Sequence, residues 1–270
     1  RAIELNGEAV PMNLQAFMLG RRAAAEPAAL NAALAELKAP TEARHVSETL
    51  DELAARRVKF LTGYQNAAYA QRYRAWVERT AKAEEAVLPG ARALTDAVAR
   101  YLFKLMAYKD EYEVARLFSS GDFRKQVAAT FEGEKLRFEF HLAPPILARR
   151  NPDGTLRKSS FGPWTMGLFG VLAKFKGLRG TAFDPFGYSA ERKMERKLIA
   201  DYEAMLGEVL AKLTIDNHAT AVALAQTPEH IRGFGPVKER HLKAAKAEEA
   251  KLWARFRAPA TGGQTLQAAE

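Results

Sequence analysis

A pattern of apolar residues with helical spacing runs through residues 49–87, and it constrains the fold more than any other feature of the sequence. At its start, Thr49 and Glu52 match a capping box, an arrangement that begins many helices. The pattern predicts one long helix over about residues 49–87. Because a helix rises about 1.5 Å per residue, this one would exceed the width of a small domain. We expect it to lie in a helical hairpin with a neighbouring helix.

The helix that would complete the hairpin follows a break at Leu88, Pro89 and Gly90. Apolar residues again recur every three or four positions, at Leu94, Val98, Leu102 and Leu105. Shorter helical patterns precede and follow this pair. The sequence therefore predicts a mainly α fold, with one helical domain over residues 11–257.

Two segments carry the alternating pattern of β-strands instead. In KLRFEFHL, the apolar residues Leu136, Phe138 and Phe140 alternate with polar ones, and the turn sequence NPDG follows at residues 151–154. This pattern predicts a small antiparallel β-sheet around residues 134–160. Ile3 and Leu5 alternate with polar residues in the same way, which predicts that residues 1–10 are the terminal strand of a preceding domain. The composition of residues 258–270 predicts a disordered tail.

The chain contains no cysteine, which excludes disulfides, a cysteine nucleophile and cysteine-ligated zinc or iron–sulfur sites. Its five histidines lack the HxxxH and HExxH spacings of helical metal sites, so we expect no metal in this segment. No apolar stretch is long enough to span a bilayer, and the N-terminus has no signal-peptide pattern. These features predict a cytoplasmic protein without membrane contact.

The net charge of +9 is concentrated in one part of the chain. Residues 134–200 hold 13 basic and 6 acidic side chains, a net charge of +7. Four of these cations lie in the first turns of a helix that Ser189 is expected to cap, where the helix dipole disfavours positive charge. An external anion or an acidic neighbour would explain them, and a solvated basic surface is the alternative. The candidate face for an acidic partner consists of Arg149, Arg150, Lys158, Arg192, Lys193, Arg196 and Lys197.

A second group of candidates lies in the sequence YQNAAYAQRY. Polar and aromatic side chains lie there among small residues, Ala67 and Ala68, and Ala75 follows shortly after. Such small residues permit close contact between helices. Because burying polar groups without partners is costly, we expect them to form hydrogen bonds across a helix interface. Contact with a ligand is the alternative interpretation. The candidate network consists of Tyr64, Gln65, Asn66, Tyr69, Arg72 and Tyr73.

Other candidates for chemistry are weaker. Glu113 beside Lys109 could act as an acid or base, and His141 lies on the polar face of the predicted strand, but ordinary surface residues show the same patterns. The sequences GLRG (177–180) and RGFG (232–235) place arginine beside glycines that could cradle phosphate. Neither has the spacing of an established phosphate-binding loop.

Six blocks stand out in order along the chain: RAIELNG, LTGYQNAAYAQRY, ARYLFKLMAYKDEYEVARL, KLRFEFHLAPP, GLRGTAFDPFGYSAERKMER and IRGFGPVKERHL. Together they resemble the C-terminal region of the large, fused-chain indolepyruvate:ferredoxin oxidoreductases, within the 2-oxoacid:ferredoxin oxidoreductase family. The resemblance covers residues 1 to about 257. It implies a parent enzyme that uses thiamine diphosphate, Mg and iron–sulfur clusters to decarboxylate an arylpyruvate, form an acyl-CoA from CoA and reduce ferredoxin.

In that family the diphosphate-binding loop and the cluster cysteines lie upstream of the region that this chain resembles. No catalytic or cofactor-binding residue therefore carries over to these positions. The resemblance implies a non-catalytic C-terminal domain with a structural or assembly role. Its implied partners are the upstream catalytic domains, further copies in a homo-oligomer, and ferredoxin, which could dock on the basic face.

Two other classes of function are alternatives to a non-catalytic domain of an oxidoreductase. A basic nucleic-acid-binding helical module would account for the charge, but no helix-turn-helix, zinc-finger or RNP motif supports it, and we expect no nucleic-acid partner. A free-standing enzyme would need a deep pocket around Glu113 or His141.

Overall fold

The computed structural model describes residues 1–7, 9–28, 49–131, 137–142, 159–233 and 235–258. They are mainly helical and include a small antiparallel sheet, which confirms the predicted fold class. The chain divides into two compact units, Arg1–Ser47 and Glu48–Glu270. No helix within the described ranges combines the length and apolar composition needed to cross a membrane.

The first unit contains helices α1 (Ala2–Asn6) and α2 (Val10–Ala25), which contact each other. The strand predicted for residues 1–10 is therefore wrong. Two alternating apolar residues, Ile3 and Leu5, are too few to distinguish a strand from a single helical turn. Gly7 ends α1 in the left-handed conformation, with a φ of 69°, as glycine does at many helix C-termini.

The second unit contains the helices α3 (Leu50–Tyr64), α4 (Ala67–Val87), α5 (Ala93–Met106), α6 (Glu111–Ser119), α7 (Gly121–Thr130), α8 (Thr165–Leu172), α9 (Ala190–Ala211), α10 (His218–Gln226) and α11 (Gly235–Arg257). Short 3₁₀ helices follow α8 and α10, at Ala173–Leu178 and Thr227–His230. Strands β1 (Phe140–Leu142) and β2 (Ser159–Phe161) pair antiparallel, with Phe140 opposite Phe161. The predicted NPDG turn, and the predicted tail beyond Ala258, lie outside the described residues.

Residues 49–87 form two helices, not the single long helix that the periodicity predicted. The capping box is present: the side chain of Thr49 accepts from the N–H of Glu52 at 3.2 Å, and the Glu52 carboxylate accepts from the N–H of Thr49 at 3.4 Å. The helix then ends at Tyr64. Asn66 adopts an extended backbone and caps α4 by accepting a hydrogen bond from the N–H of Tyr69 at 2.8 Å. The helical hairpin therefore forms between α3 and α4 themselves.

Helix α5 lies at the centre of the second unit and contacts α3, α4, α9 and α10. The apolar stripe predicted from the sequence is buried there together with residues on other sides of the helix, including Leu94, Ala97, Val98, Ala99, Leu102, Leu105 and Met106. A helix surrounded on several sides is the natural core of an α domain. Its burial supplies much of the apolar area that stabilises the unit.

Glu84, near the end of α4, fixes the start of this central helix. Its carboxylate accepts from the backbone N–H groups of Leu94 and Thr95, both at 2.8 Å, and from the Thr95 hydroxyl at 2.6 Å. Nε2 of His218 on α10 lies 2.8 Å from the same carboxylate. Burial alone would raise the pKa of Glu84, but the hydrogen bonds from Thr95, His218 and Leu94 lower it. Glu84 therefore joins α4, α5 and α10.

A smaller core, separate from the main one, places α8 and the sheet against α6. Its buried centre consists of Ala115, Phe140 and Phe169. The ring of Phe118 stacks on that of Phe169 with centroids 5.6 Å apart, and Phe140 meets the same ring edge-on at 5.2 Å. Helix α8 thus buries one side, through Thr165 and Phe169, and leaves its other side to solvent.

Candidate functional site

Three tyrosines of the predicted network join the α3–α4 hairpin to α5 and the residues after it. The hydroxyl of Tyr64 donates to the carbonyl of Tyr108 at 2.8 Å, and that of Tyr69 donates to the carbonyl of Met106 at 3.0 Å. The hydroxyl of Tyr73 donates to a carbonyl within α5 at 2.9 Å. Burial raises the pKa of all three tyrosines, so their hydroxyls remain protonated donors.

The other three members of the network lie at the same hairpin. Asn66 caps α4, as described above. Arg72 donates from Nε and Nη2 to the two carboxylate oxygens of Glu203 at 2.6 and 2.5 Å, which joins α4 to α9. The side chain of Gln65 is half-buried and makes no hydrogen bond to any described residue.

The small residues do not have the role that the sequence suggested. Ala67, Ala68 and Ala75 are exposed, whereas Ala70 is almost completely buried in the main core. Close packing of α4 against the rest of the unit therefore depends on Ala70.

A buried ion pair beside the hairpin was not predicted. The side chains of Arg179 and Asp110 are only 2% and 3% exposed. Arg179 donates from Nε and Nη2 to Asp110 at 2.5 and 2.8 Å, and from Nη1 to the carbonyl of Tyr64 at 2.6 Å. Its guanidinium also lies 3.7 Å from the centre of the Tyr64 ring. Burial alone would lower the pKa of Arg179, but its hydrogen bonds to Asp110 raise it, so the guanidinium remains charged.

Two cations of the predicted acidic-partner face are bonded within the chain. Ser189 caps α9 as predicted, by accepting from the N–H of Arg192 at 3.2 Å. The side chain of Arg192 is 13% exposed and pairs with Glu111 at 3.4 Å. Arg196 donates from Nη2 to the carbonyl of Gly187 at 2.6 Å. Glu111 of the same chain is therefore an acidic neighbour of Arg192. Arg196 is half-buried and bonds a backbone carbonyl instead of a carboxylate of the described residues.

The predicted face for an acidic partner has five further members, of which only two lysines lie among the described residues. Lys193 and Lys197 are exposed, and Lys197 pairs with Asp201 one turn further along α9, at 2.6 Å. Arg149, Arg150 and Lys158 lie outside the described residues. On α9, the exposed basic surface is therefore limited to two lysines.

A pocket of about 220 Å³ lies between the hairpin, the segment around Arg179 and α9. Arg72 and Arg179, two of its cations, are neutralised by Glu203 and Asp110. In the described part of the chain, no carboxylate lies within ion-pair distance of Arg196, and its Nη1 is buried without a hydrogen-bond partner. The pocket is lined by Gln65, Tyr69, Arg72, Tyr108, Arg179, Gly180, Arg196 and Ile199.

An exposed apolar stripe runs along the outer side of α8, from the residue before it to the 3₁₀ helix after it. Its four side chains are Trp164, Leu168, Val171 and Phe175, which are 64, 52, 53 and 52% exposed. Spacings of four and three residues place Trp164, Leu168 and Val171 on one side of α8, away from the buried Phe169. Exposed apolar side chains grouped in this way are typical of an interaction site.

Gly167 lies next to this apolar stripe, in open space among the described residues. A Cβ atom built on it would meet none of their atoms within 4 Å, apart from its chain neighbours and the backbone of its own helix. Because glycine in a helix costs up to about 1 kcal/mol relative to alanine, its presence here needs another reason. The close approach of another backbone to α8 would supply one.

The residues considered for a free-standing enzyme have ordinary surroundings. Glu113 is buried and binds Arg116 through both carboxylate oxygens at 2.7 Å. Nδ1 of His141 lies 3.0 Å from the hydroxyl of Ser160 on the neighbouring strand, in an exposed position. Among the described residues, no group of three or more His, Asp or Glu side chains is placed to hold a metal ion.

Comparison with known proteins gives a family but no activity. No curated protein and no solved structure matches this chain. One family, described as a family of unknown function (DUF6537), matches residues 50–251, which is most of the second unit. The chain therefore belongs to the DUF6537 family.

Proposed function

We propose that this chain is the non-catalytic C-terminal part of an indolepyruvate-type 2-oxoacid:ferredoxin oxidoreductase, and that it docks on the other domains of that enzyme. The exposed apolar stripe on α8 is the observation that carries the docking role. The six sequence blocks support the assignment to this enzyme, since they resemble its C-terminal region from residue 1 to about 257.

The chemistry of the apolar stripe favours a permanent protein interface. Full burial of a large apolar side chain contributes about 1.5–3 kcal/mol, and each of these four is more than half exposed. Trp164 and Phe175 provide the aromatic anchors that are enriched at the centres of interfaces. The open space at Gly167 would let a partner approach the helix backbone closely.

Docking of an acidic partner such as ferredoxin on the basic residues of α9 is less well supported than docking of an apolar partner on α8. Arg192 and Arg196 bond within the chain, which leaves Lys193 and Lys197 as the exposed cations of α9. The same reduction in free positive charge weakens the alternative of a nucleic-acid-binding module, because phosphate contacts dominate such binding. Retention on a nucleic-acid column at physiological salt would favour that alternative over ours.

In the proposed enzyme, the cofactors belong to other domains. The iron–sulfur clusters would be bound upstream, because this chain has no cysteine to ligate them. Thiamine diphosphate and Mg would be bound upstream as well, where the resemblance places the diphosphate-binding loop, and CoA would serve the whole enzyme. The enzyme would act in the cytoplasm as a homo-oligomer, with this chain holding its catalytic domains in place.

The test is Leu168→Asp in the whole oxidoreductase, measured by sedimentation velocity. We expect a lower sedimentation coefficient, because a carboxylate cannot be buried in an apolar contact and the enzyme would open or dissociate. Ile215→Asp is the matched control, since Ile215 is 62% exposed and lies outside the apolar stripe. Unchanged sedimentation of the Leu168 variant would refute the docking role.

Gly167→Ala separates docking from folding. In the chain alone, alanine should raise the free energy of unfolding by about 0.5–1 kcal/mol, since nothing obstructs its Cβ. In the whole enzyme the same change should loosen the assembly. If Gly167→Ala stabilised the chain alone and the whole enzyme equally, no partner would approach α8 at this position.

A further inference from the structure

We infer that the pocket between the α3–α4 hairpin and α9 binds a small oxyanion, a carboxylate or phosphate group, through Arg196, Tyr108 and Gln65. This site is separate from the apolar stripe on α8, and the inference does not depend on the proposed docking role. Its volume, about 220 Å³, is several times that of a water molecule and suits a ligand of a few heavy atoms.

Within the described ranges, one cation of the pocket has no counter-ion. Arg72 is paired with Glu203, Arg179 with Asp110, and each pair has two close N–H···O contacts. Arg196 forms no ion pair with a described residue. A single anionic group would complete the charge balance, which favours a ligand that carries one negative charge at this end.

Arg196 also has unused hydrogen-bonding capacity. Its one hydrogen bond within the described chain runs from Nη2 to the carbonyl of Gly187. Nη1 is closed to solvent and has no partner among the residues that the structure describes, which is rare for a buried polar nitrogen. Because Nη1 is closed in the chain alone, binding requires the guanidinium to turn towards the pocket, and the oxyanion would then satisfy this nitrogen.

Tyr108 and Gln65 supply neutral donors on the other walls. The Tyr108 hydroxyl makes no hydrogen bond with a described residue, and burial raises its pKa, so it remains a donor. The Gln65 amide is likewise without a partner in the described ranges. A cation with two neutral donors is a common arrangement for oxyanion recognition.

The nearest loop does not supply a competing carboxylate. Asp184 accepts from the N–H groups of Gly180 and Phe186 at 2.8 and 3.1 Å, and from the hydroxyl of Tyr112 at 3.2 Å. These contacts, with the loop and with Tyr112 on α6, use both of its oxygens. In the described part of the chain, Asp184 forms no ion pair with Arg196.

The test compares two variants on the same helix by isothermal titration calorimetry of the 270-residue chain. The probes are potassium phosphate and potassium acetate, each against potassium chloride at equal ionic strength. We expect one-to-one saturable binding of one probe with a dissociation constant of about 1 mM or below. Arg196→Gln should weaken it by about tenfold or more, because charge-assisted hydrogen bonds are the strong ones. Lys193→Gln removes the same charge from an exposed position and should leave the affinity within about twofold.

The phosphate and acetate arms identify the oxyanion, since each probe offers one of the two groups. Tyr108→Phe tests the same site if Arg196→Gln fails to fold, and it should weaken binding while leaving the helix content unchanged. Absence of saturable binding with both probes would overturn the inference. Equal affinities of the Arg196, Lys193 and Tyr108 variants would do so as well.

Discussion

Replacing Asp110 by asparagine should strongly destabilise the second unit, because it leaves the charge of Arg179 buried without a counter-ion. The two side chains are 3% and 2% exposed, so water cannot take the place of the carboxylate. Removal of one partner from a buried ion pair costs about 3–5 kcal/mol. Asparagine retains an oxygen that can accept the N–H of Glu113, which Asp110 accepts at 2.8 Å as the cap of α6. The loss therefore measures the charge and not the cap.

Urea unfolding followed by circular dichroism measures this loss, since domains of this kind have unfolding free energies of about 5–15 kcal/mol. The matched control is Asp201→Asn, which breaks the Lys197–Asp201 pair on the surface of α9. That pair joins residues four apart on an exposed helix face and should contribute only about 0.3–0.5 kcal/mol.

A double-mutant cycle tests the reasoning behind the magnitude. Arg179→Met combined with Asp110→Asn removes both charges, so the double variant should be less destabilised than the sum of the two single variants. The account is refuted if Asp110→Asn costs less than about 1 kcal/mol, the range of a solvated pair. Strictly additive costs would also refute it, because they would show that the two residues do not interact.

Two further predictions concern the helical core. Because hydrogen bonds lower the pKa of Glu84 in the folded chain, its contribution is complete above its unfolded pKa of about 4.3 and is lost as the pH falls through the folded pKa. The unfolding free energy of the unmodified chain should therefore fall more steeply in this acid range than that of the Glu84→Gln variant. The same pH dependence for both proteins would contradict the role of Glu84 at the start of α5. Ala70→Leu should overpack the core and cost about 1–3 kcal/mol in urea unfolding. Ala68→Leu, at an exposed position, should change stability by less than about 0.5 kcal/mol, and similar effects at both positions would disprove the packing.

The sequence predicted the elements whose patterns were long or had specific end residues. The stripe of Leu94, Val98 and Leu102 covers several turns, and all three residues are buried in α5. Thr49 and Ser189 cap their helices as predicted, because capping depends on a few neighbouring residues. The strand expected at residues 1–10 rested on two apolar residues, which was too little to set a period.

The break within residues 49–87 was missed because the apolar pattern continues on both sides of it. Local residues did carry the information: Gly63 lies just before the end of α3, and Asn66 is a favoured N-cap residue. Periodicity reports which side of a helix is buried. It does not report whether the helix continues.

The candidate sites depend on contacts between distant parts of the chain. Arg179 and Asp110 are separated by 69 positions, and no local pattern pairs them. The spacing of Trp164, Leu168 and Val171 was visible in the sequence, but an apolar helix side is normally buried in its own core. Only the packing of α8 against α6 showed that Phe169 fills that core and that the other side is free.

Hydroxyl-radical footprinting of the apolar stripe tests the docking role most directly. The oxidation rates of Trp164 and Phe175 would be measured in the chain alone and in the whole oxidoreductase, with Phe183, 82% exposed and outside the stripe, as the internal reference. Docking predicts that both stripe residues become strongly protected in the whole enzyme relative to Phe183. Equal oxidation of Trp164 and Phe175 in the two forms would contradict the proposal that this surface holds the enzyme together.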